Sequence, residues 1–166
     1  MRIGVFAGSF DPVTLGHADI IKRAAGLFDC LYVAVSKNPS KQCRFTAEER
    51  LHMLDALFEN ELSDVSAGLR ALIWDRPLFE LCGEVGAGFI VKGARNGGDF
   101  EYERTLDLQT KSVCGGVDTV ILPSSAGLEH ISSTFARGVI DYGMDLKTAM
   151  PASVAERVAA IAGRAF

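Results

Sequence analysis

Ser9 and His17 each follow directly on a glycine in the segment Gly8-Ser9-Phe10-Asp11-Pro12-Val13-Thr14-Leu15-Gly16-His17. An apolar run at 2–7 precedes this segment and an amphipathic one follows it. A strand that turns at a glycine and feeds a helix start brings together a hydroxyl, unpaired first-turn N–H groups and an imidazole. Those N–H groups and the helix dipole favour a phosphate. A histidine placed there can donate a hydrogen bond to charge that develops on it, and Gly16 lets a bound group come close to the backbone. A plainer outcome is equally open at this point: the glycines turn the chain and His17 caps or packs. Neither GxGxxG nor GxxxxGK[ST] occurs, so the dinucleotide and P-loop fingerprints are missing.

Three further segments carry charge or hydroxyls where a strand gives way to a loop. Asn38-Pro39-Ser40-Lys41 follows the run Cys30–Ser36 and offers a cation able to reach into a cleft, or a solvated surface lysine. Val91-Lys92-Gly93-Ala94-Arg95 places two cations on either side of a glycine, which suits neutralising phosphates. Leu128-Glu129-His130-Ile131-Ser132-Ser133-Thr134 ends in three successive hydroxyls. Such a run suits a triphosphate cradle at a helix start, or simply a serine cap.

The elements that must position these residues are legible as alternating runs. Near-continuous apolar, β-branched stretches at 2–7, 30–36, 89–92 and 118–122 predict strands buried on both faces, with a weaker strand near 63–67. Helices are expected over 17–28 from its apolar stripe, from the capping box Thr46-Ala47-Glu48-Glu49, and behind Asp75 and Pro77. Others are expected from Asp99 to 110, from Ser132 or Ser133 to 140, and over about 151–163 behind Pro151. Strand–helix alternation of this kind predicts one doubly wound, Rossmann-like α/β domain over 1–166, with a parallel sheet covered by helices on both faces. Ligands in such sheets bind at the carboxyl ends of strands.

Gly8 to His17 closely resembles the start of the nucleotidyltransferase superfamily, in which a Thr or Ser precedes Phe-Asp-Pro and a Gly-His pair follows. Pro39-Ser40-Lys41 with Phe45-Thr46-Ala47-Glu48-Glu49-Arg50 is similar to its phosphopantetheine adenylyltransferase branch. So are Asp99-Phe100-Glu101-Tyr102-Glu103 and Ile131-Ser132-Ser133-Thr134. Lys92 departs from the branch, which usually has Arg there, and Leu128 to His130 lack its frequent aromatic. Val13 stands where relatives acting on nicotinamide mononucleotide or a polyol phosphate usually carry a second histidine.

The resemblance implies transfer of AMP from ATP to 4′-phosphopantetheine. His17 would stabilise the transition state, with Ser9, Lys41 and Arg95 beside it. ATP would be held by Ser9, Phe10, His17, Gly93, Ala94, Arg95, Glu103 and the stretch Leu128, Glu129, His130, Ile131, Ser132, Ser133, Thr134. Phosphopantetheine would be held by Ser9, Lys41, Leu78 and Lys92. Mg²⁺ would ride on ATP rather than sit in a protein cage. The resemblance also implies a homohexamer and coenzyme A as a feedback ligand. A relative with another phosphate acceptor, or an inactive module that holds a nucleotide, would use the same residues. Turnover separates the three.

Composition bounds these expectations. The chain has 166 residues, 48% hydrophobic and 23% charged, which is enough for a core without staples. A net charge of −4 and a pI near 5.4 argue against an extended nucleic-acid partner. Cys30, Cys43, Cys82 and Cys114 show no CxxC spacing, so free thiols in a reducing cytoplasm are expected. No signal peptide and no membrane span is expected from the apolar runs.

Overall fold

A computed structural model describes residues 1–37 and 42–163. Five strands form one parallel sheet: β1 (Ile3–Gly8), β2 (Cys30–Ser36), β3 (Leu69–Trp74), β4 (Phe89–Ala94) and β5 (Asp118–Pro123), in the order β3-β2-β1-β4-β5. Among the described residues six α-helices accompany them, α1 (Leu15–Ala25), α2 (Ala47–Asn60), α3 (Leu78–Val85) and α4 (Gly97–Cys114) between strands, and α5 (Ser133–Asp141) and α6 (Ala152–Ala162) after β5. The chain winds outward from β1 to β3, then crosses back to β4. β1 and β4 pair over Gly4, Val5 and Phe6 with Phe89, Ile90 and Val91, and the sheet opens beyond these pairs, between the carboxyl ends of the two strands.

Both sheet faces are covered, which explains the continuous apolar strands. One face packs Phe6, Val33, Val35 and Val91 against Ile21 of α1, Leu54 and Leu57 of α2, and Val154 and Val158 of α6. The other packs Val5, Ala34 and Ile90 against Leu81 and Cys82 of α3. Lys92 shares that second face with Ile90, and there it meets α4 through Glu103.

Four strands lie where the apolar runs predict them. The fifth does not: 63–67 leads into a short 3₁₀ turn at Ser66–Gly68, and the edge strand is Leu69–Trp74. Two predicted caps also differ. Asn96, not Asp99, caps α4 by accepting from Asp99 N at 3.0 Å. Pro77 precedes α3 without a side-chain cap, so Asp75 does not serve. The Thr46 capping box is present in both directions, and Ser132 caps α5. Helix α1 begins at Leu15, so His17 occupies its third position. Cys30, Cys43 and Cys82 carry free thiols. Among the described residues no helix is long and apolar enough to cross a membrane.

Candidate active site

A cleft of about 770 Å³ lies over the opening between β1 and β4. Its walls come from the turn after β1, the start of α1, the end of β4 with the first turns of α4, and the start of α5. Ser9, His17, Lys92, Arg95, Glu103 and Ser132 to Thr134 all line it. Residues separated by more than a hundred positions therefore meet because parallel strands present their carboxyl ends to one side.

His17 is built into its helix. Thr14 N donates to its Nδ1 at 3.1 Å, and His17 N donates to Thr14 Oγ1 at 3.3 Å. This is a capping box with histidine where Glu or Gln is usual. Capping and site membership, alternatives on sequence alone, are both satisfied. Because Nδ1 accepts a backbone N–H, the ring proton is assigned to Nε2. Burial, reinforced by the Arg95 charge, lowers the pKa of His17 from 6.5 to about 4. At neutral pH the ring is thus an uncharged donor. Phe10 braces it from below, ring centroids 4.9 Å apart and edge-on at 70°.

Phe10, expected at the nucleotide, is instead fully buried and outside the cleft lining, and its backbone φ of 48° lies in the left-handed region. The need for Gly8 is also specific. A Cβ there would stand 3.2 Å from the Phe10 ring. Gly8 is thus the last residue of β1 that makes room for Phe10, rather than a turn residue. Gly93 similarly clears Ile20 of α1, at 3.2 Å from where its Cβ would be.

Each cation of the third segment is held by an acid of α4. Arg95 donates through Nε to Asp99 Oδ2 at 2.8 Å and through its backbone N at 3.1 Å. The Arg95 hydrogen bond keeps Asp99 below the usual carboxylate range. Lys92 Nζ lies 3.0 Å from Glu103 Oε2, both side chains largely buried. Apart from this ion pair the buried Oε2 has no hydrogen-bond partner.

The fourth segment divides. Ser132 Oγ accepts from Phe135 N at 3.0 Å, Ser133 donates to Pro12 O at 3.2 Å, and Thr134 Oγ1 accepts from Arg137. Ile131 is buried in the cleft wall. Leu128, Glu129 and His130 stand outside the lining: Glu129 accepts from Gly127 N at 2.8 Å, and His130 meets Phe135 edge-on at 5.8 Å. Leu78 opens α3 among the cluster on the second face, also outside the lining, and Ala94 is buried. Lys41 lies outside the described residues, although its neighbours Gln42 and Cys43 line the cleft.

Arg137 and Asp11 are further cleft residues that the motifs do not single out as binding groups. Arg137 donates to Asp11 O at 2.8 Å, and its guanidinium stands 3.5 Å from Asp11 Oδ2. Asp11 in turn accepts from Arg44 N and Phe45 N, both at 2.9 Å. Position 137 is one helical turn beyond Ser133, so a cation at that spacing was the available signal.

Residues 5–139 match the model of the cytidylyltransferase-like family. The chain is 42% identical over 151 residues to a phosphopantetheine adenylyltransferase of Christiangramia forsetii, covering 91% of this chain and 96% of that protein. It is 39% identical over 158 residues to one of Caldanaerobacter subterraneus subsp. tengcongensis, covering 95% and 96%. Among solved structures it resembles a chain from Vibrio parahaemolyticus named as a nicotinate-nucleotide adenylyltransferase, with a TM-score of 0.71 and 19% identity over 95% of this chain and 92% of the other. At that identity the likeness is one of fold.

Proposed function

The chain belongs to the phosphopantetheine adenylyltransferase family, and from that premise we propose that it joins the AMP part of ATP to 4′-phosphopantetheine, giving 3′-dephospho-coenzyme A and pyrophosphate. The observation that carries this is His17, a neutral Nε2–H donor sharing one cleft with Ser9, Lys92, Arg95 and the start of α5. A cleft with an uncharged donor, a hydroxyl and separated cations suits transfer of a phosphate-bearing group between two anions.

The attacking group is a phosphate oxygen that is already anionic, so no side chain must take a proton from it. That oxygen forms a bond to the α-phosphorus of ATP. The bond from that phosphorus to the bridging oxygen of the β-phosphate breaks, and the electron pair leaves with pyrophosphate. Ser9 and His17 hold the α-phosphate, and the Nε2–H meets charge that grows on its oxygens. Lys92, with Lys41, holds the acceptor phosphate. Arg95, Arg137 and the Ser132 to Thr134 helix start hold the outgoing pyrophosphate. Glu103, which lines the cleft, takes a hydroxyl of the nucleotide.

The carboxylates at the cleft are each engaged: Asp11 by two backbone N–H groups, Asp99 by Arg95, Glu103 by Lys92. This supports Mg²⁺ entering on the phosphates of ATP, where it neutralises charge on the leaving group. Family membership extends the proposal to a homohexamer, to feedback by coenzyme A and to a cytoplasmic location. Phe100 and Leu108, exposed on α4, are apolar surface that assembly would cover. Mass detection of product from ATP, Mg²⁺ and a panel of phosphate acceptors tests the substrate. Dephospho-coenzyme A formed from 4′-phosphopantetheine supports it, and product with another acceptor instead overturns it.

A further inference from the structure

The ladder between β1 and β2 ends with Gly8 opposite Val35, so Ser9 and Ser36 hold the next register position. There both backbone carbonyls accept from a single nitrogen: Arg50 Nη1 donates to Ser9 O at 2.6 Å and to Ser36 O at 3.2 Å. The same guanidinium donates through Nε to Phe45 O at 3.1 Å and Thr46 O at 3.2 Å. One side chain on the first turn of α2 thus ties together the end of β1, the end of β2 and the entry to its own helix.

Arg50 is only 3% exposed, and these four acceptors are all neutral carbonyls. Burying a cation in this way is costly, and an apolar residue of similar volume is the usual cheaper solution. What the apolar residue lacks is a rigid fork that fixes several oxygens at once. The oxygen held most closely is that of Ser9, immediately before Phe10, whose backbone is left-handed at φ 48°. A non-glycine residue keeps such a conformation only where its surroundings determine it. Phe10 is fixed on one side by His17 and the core, and the preceding carbonyl is fixed by Arg50.

We propose that Arg50 is a positioning residue for adenylyl transfer: its fork sets the Ser9 carbonyl against the end of β2 and thereby aims the Ser9 hydroxyl and the Phe10–His17 pair at the reacting phosphate. This rests on the role given above to Ser9 and His17. It makes Arg50 act through geometry, touching neither substrate.

Arg50→Lys keeps the charge and loses the fork. In the full-length protein its kcat should fall by at least about tenfold, since small misplacements are costly in transfer reactions, while the ATP Kd should move by less than about threefold. Ser9→Ala combined with Arg50→Lys should be little slower than the slower single variant, because both act at one place. A crystal structure of Arg50→Lys should show the Ser9 backbone displaced by ~0.5–1 Å with the rest of β1 unmoved. Unchanged kcat in folded Arg50→Lys, or losses that multiply with Ser9→Ala, would overturn the proposal. Should Arg50→Lys not fold, Arg50→Gln is read by the same criteria, and failure of both to fold overturns it in favour of a purely structural role. A wild type that turns over no acceptor counts against the substrate assignment alone, and the Ser9 position in the variant crystal then decides the matter for Arg50.

Discussion

Thr14 and His17 hold one another at the start of α1, the backbone of each bonded to the side chain of the other at 3.1 and 3.3 Å. The bond that caps the helix also decides the chemistry of the ring. With Nδ1 occupied by an N–H, the neutral imidazole has its donor on Nε2, and burial with the nearby Arg95 keeps it neutral down to a pKa of about 4. A helix cap and a phosphate donor are thus two uses of one side chain.

His17→Gln separates them. Glutamine is a normal partner in a capping box, so the helix start should survive and the melting temperature should change little. Turnover should fall by about 10²-fold, the cost of losing a donor to transition-state charge. ATP affinity, measured by calorimetry, should change far less. Unchanged turnover would remove His17 from the mechanism.

The low pKa also has a sign in stability. The folded value of about 4 lies below the ordinary imidazole value of 6.5, so between those pH values the unfolded chain binds the proton and the folded chain does not. Stability should therefore fall as pH drops from about 6.5 toward 4, and His17→Gln should flatten that part of the curve. Urea titrations at a series of pH values check this; parallel curves for both proteins would contradict it.

Lys92 is paired with Glu103 at 3.0 Å on the sheet face that meets α4. Lys92→Ala should raise the KM for the acceptor by about tenfold to a hundredfold, the worth of a hydrogen bond to a charged group, with little effect on ATP. Lys92→Arg should keep acceptor binding or improve it, since the fork can meet two phosphate oxygens. Steady-state kinetics with both substrates varied distinguishes these, and a large loss for the arginine variant would mean the pocket is shaped around lysine.

Gly8→Ala probes the brace beneath the imidazole. Its Cβ would press on the Phe10 ring at 3.2 Å, and that ring packs edge-on to His17. The expected cost is about 1–3 kcal/mol of stability from overpacking, together with a lower kcat. A stability loss with kcat intact would show that Phe10 does not transmit to His17.

Much of this was readable from local signals. The strands 30–36 and 118–122 announced themselves as continuous apolar runs, and Thr46 and Ser132 as caps, because those features depend on neighbours in sequence. The edge strand Leu69–Trp74 escaped because one of its sides has no partner strand and Arg70 interrupts the run. Asn96 and Asp99 are both good capping residues three positions apart, and only the pairing of Asp99 with Arg95 separates them. Arg50 stands inside a motif and Arg137 just beyond one, and in neither case does the local sequence tell what the side chain does. Their acceptors lie 41 and 126 residues away, and only the folded sheet brings them close.

The most direct test of the central claim is pyrophosphate release by the wild-type protein with ATP, Mg²⁺ and 4′-phosphopantetheine, the product identified by mass. Dephospho-coenzyme A should form with this acceptor, in one-to-one ratio with pyrophosphate, and release should collapse in His17→Gln. Demonstrable ATP binding with no release from 4′-phosphopantetheine, or equal release in His17→Gln, would contradict the account.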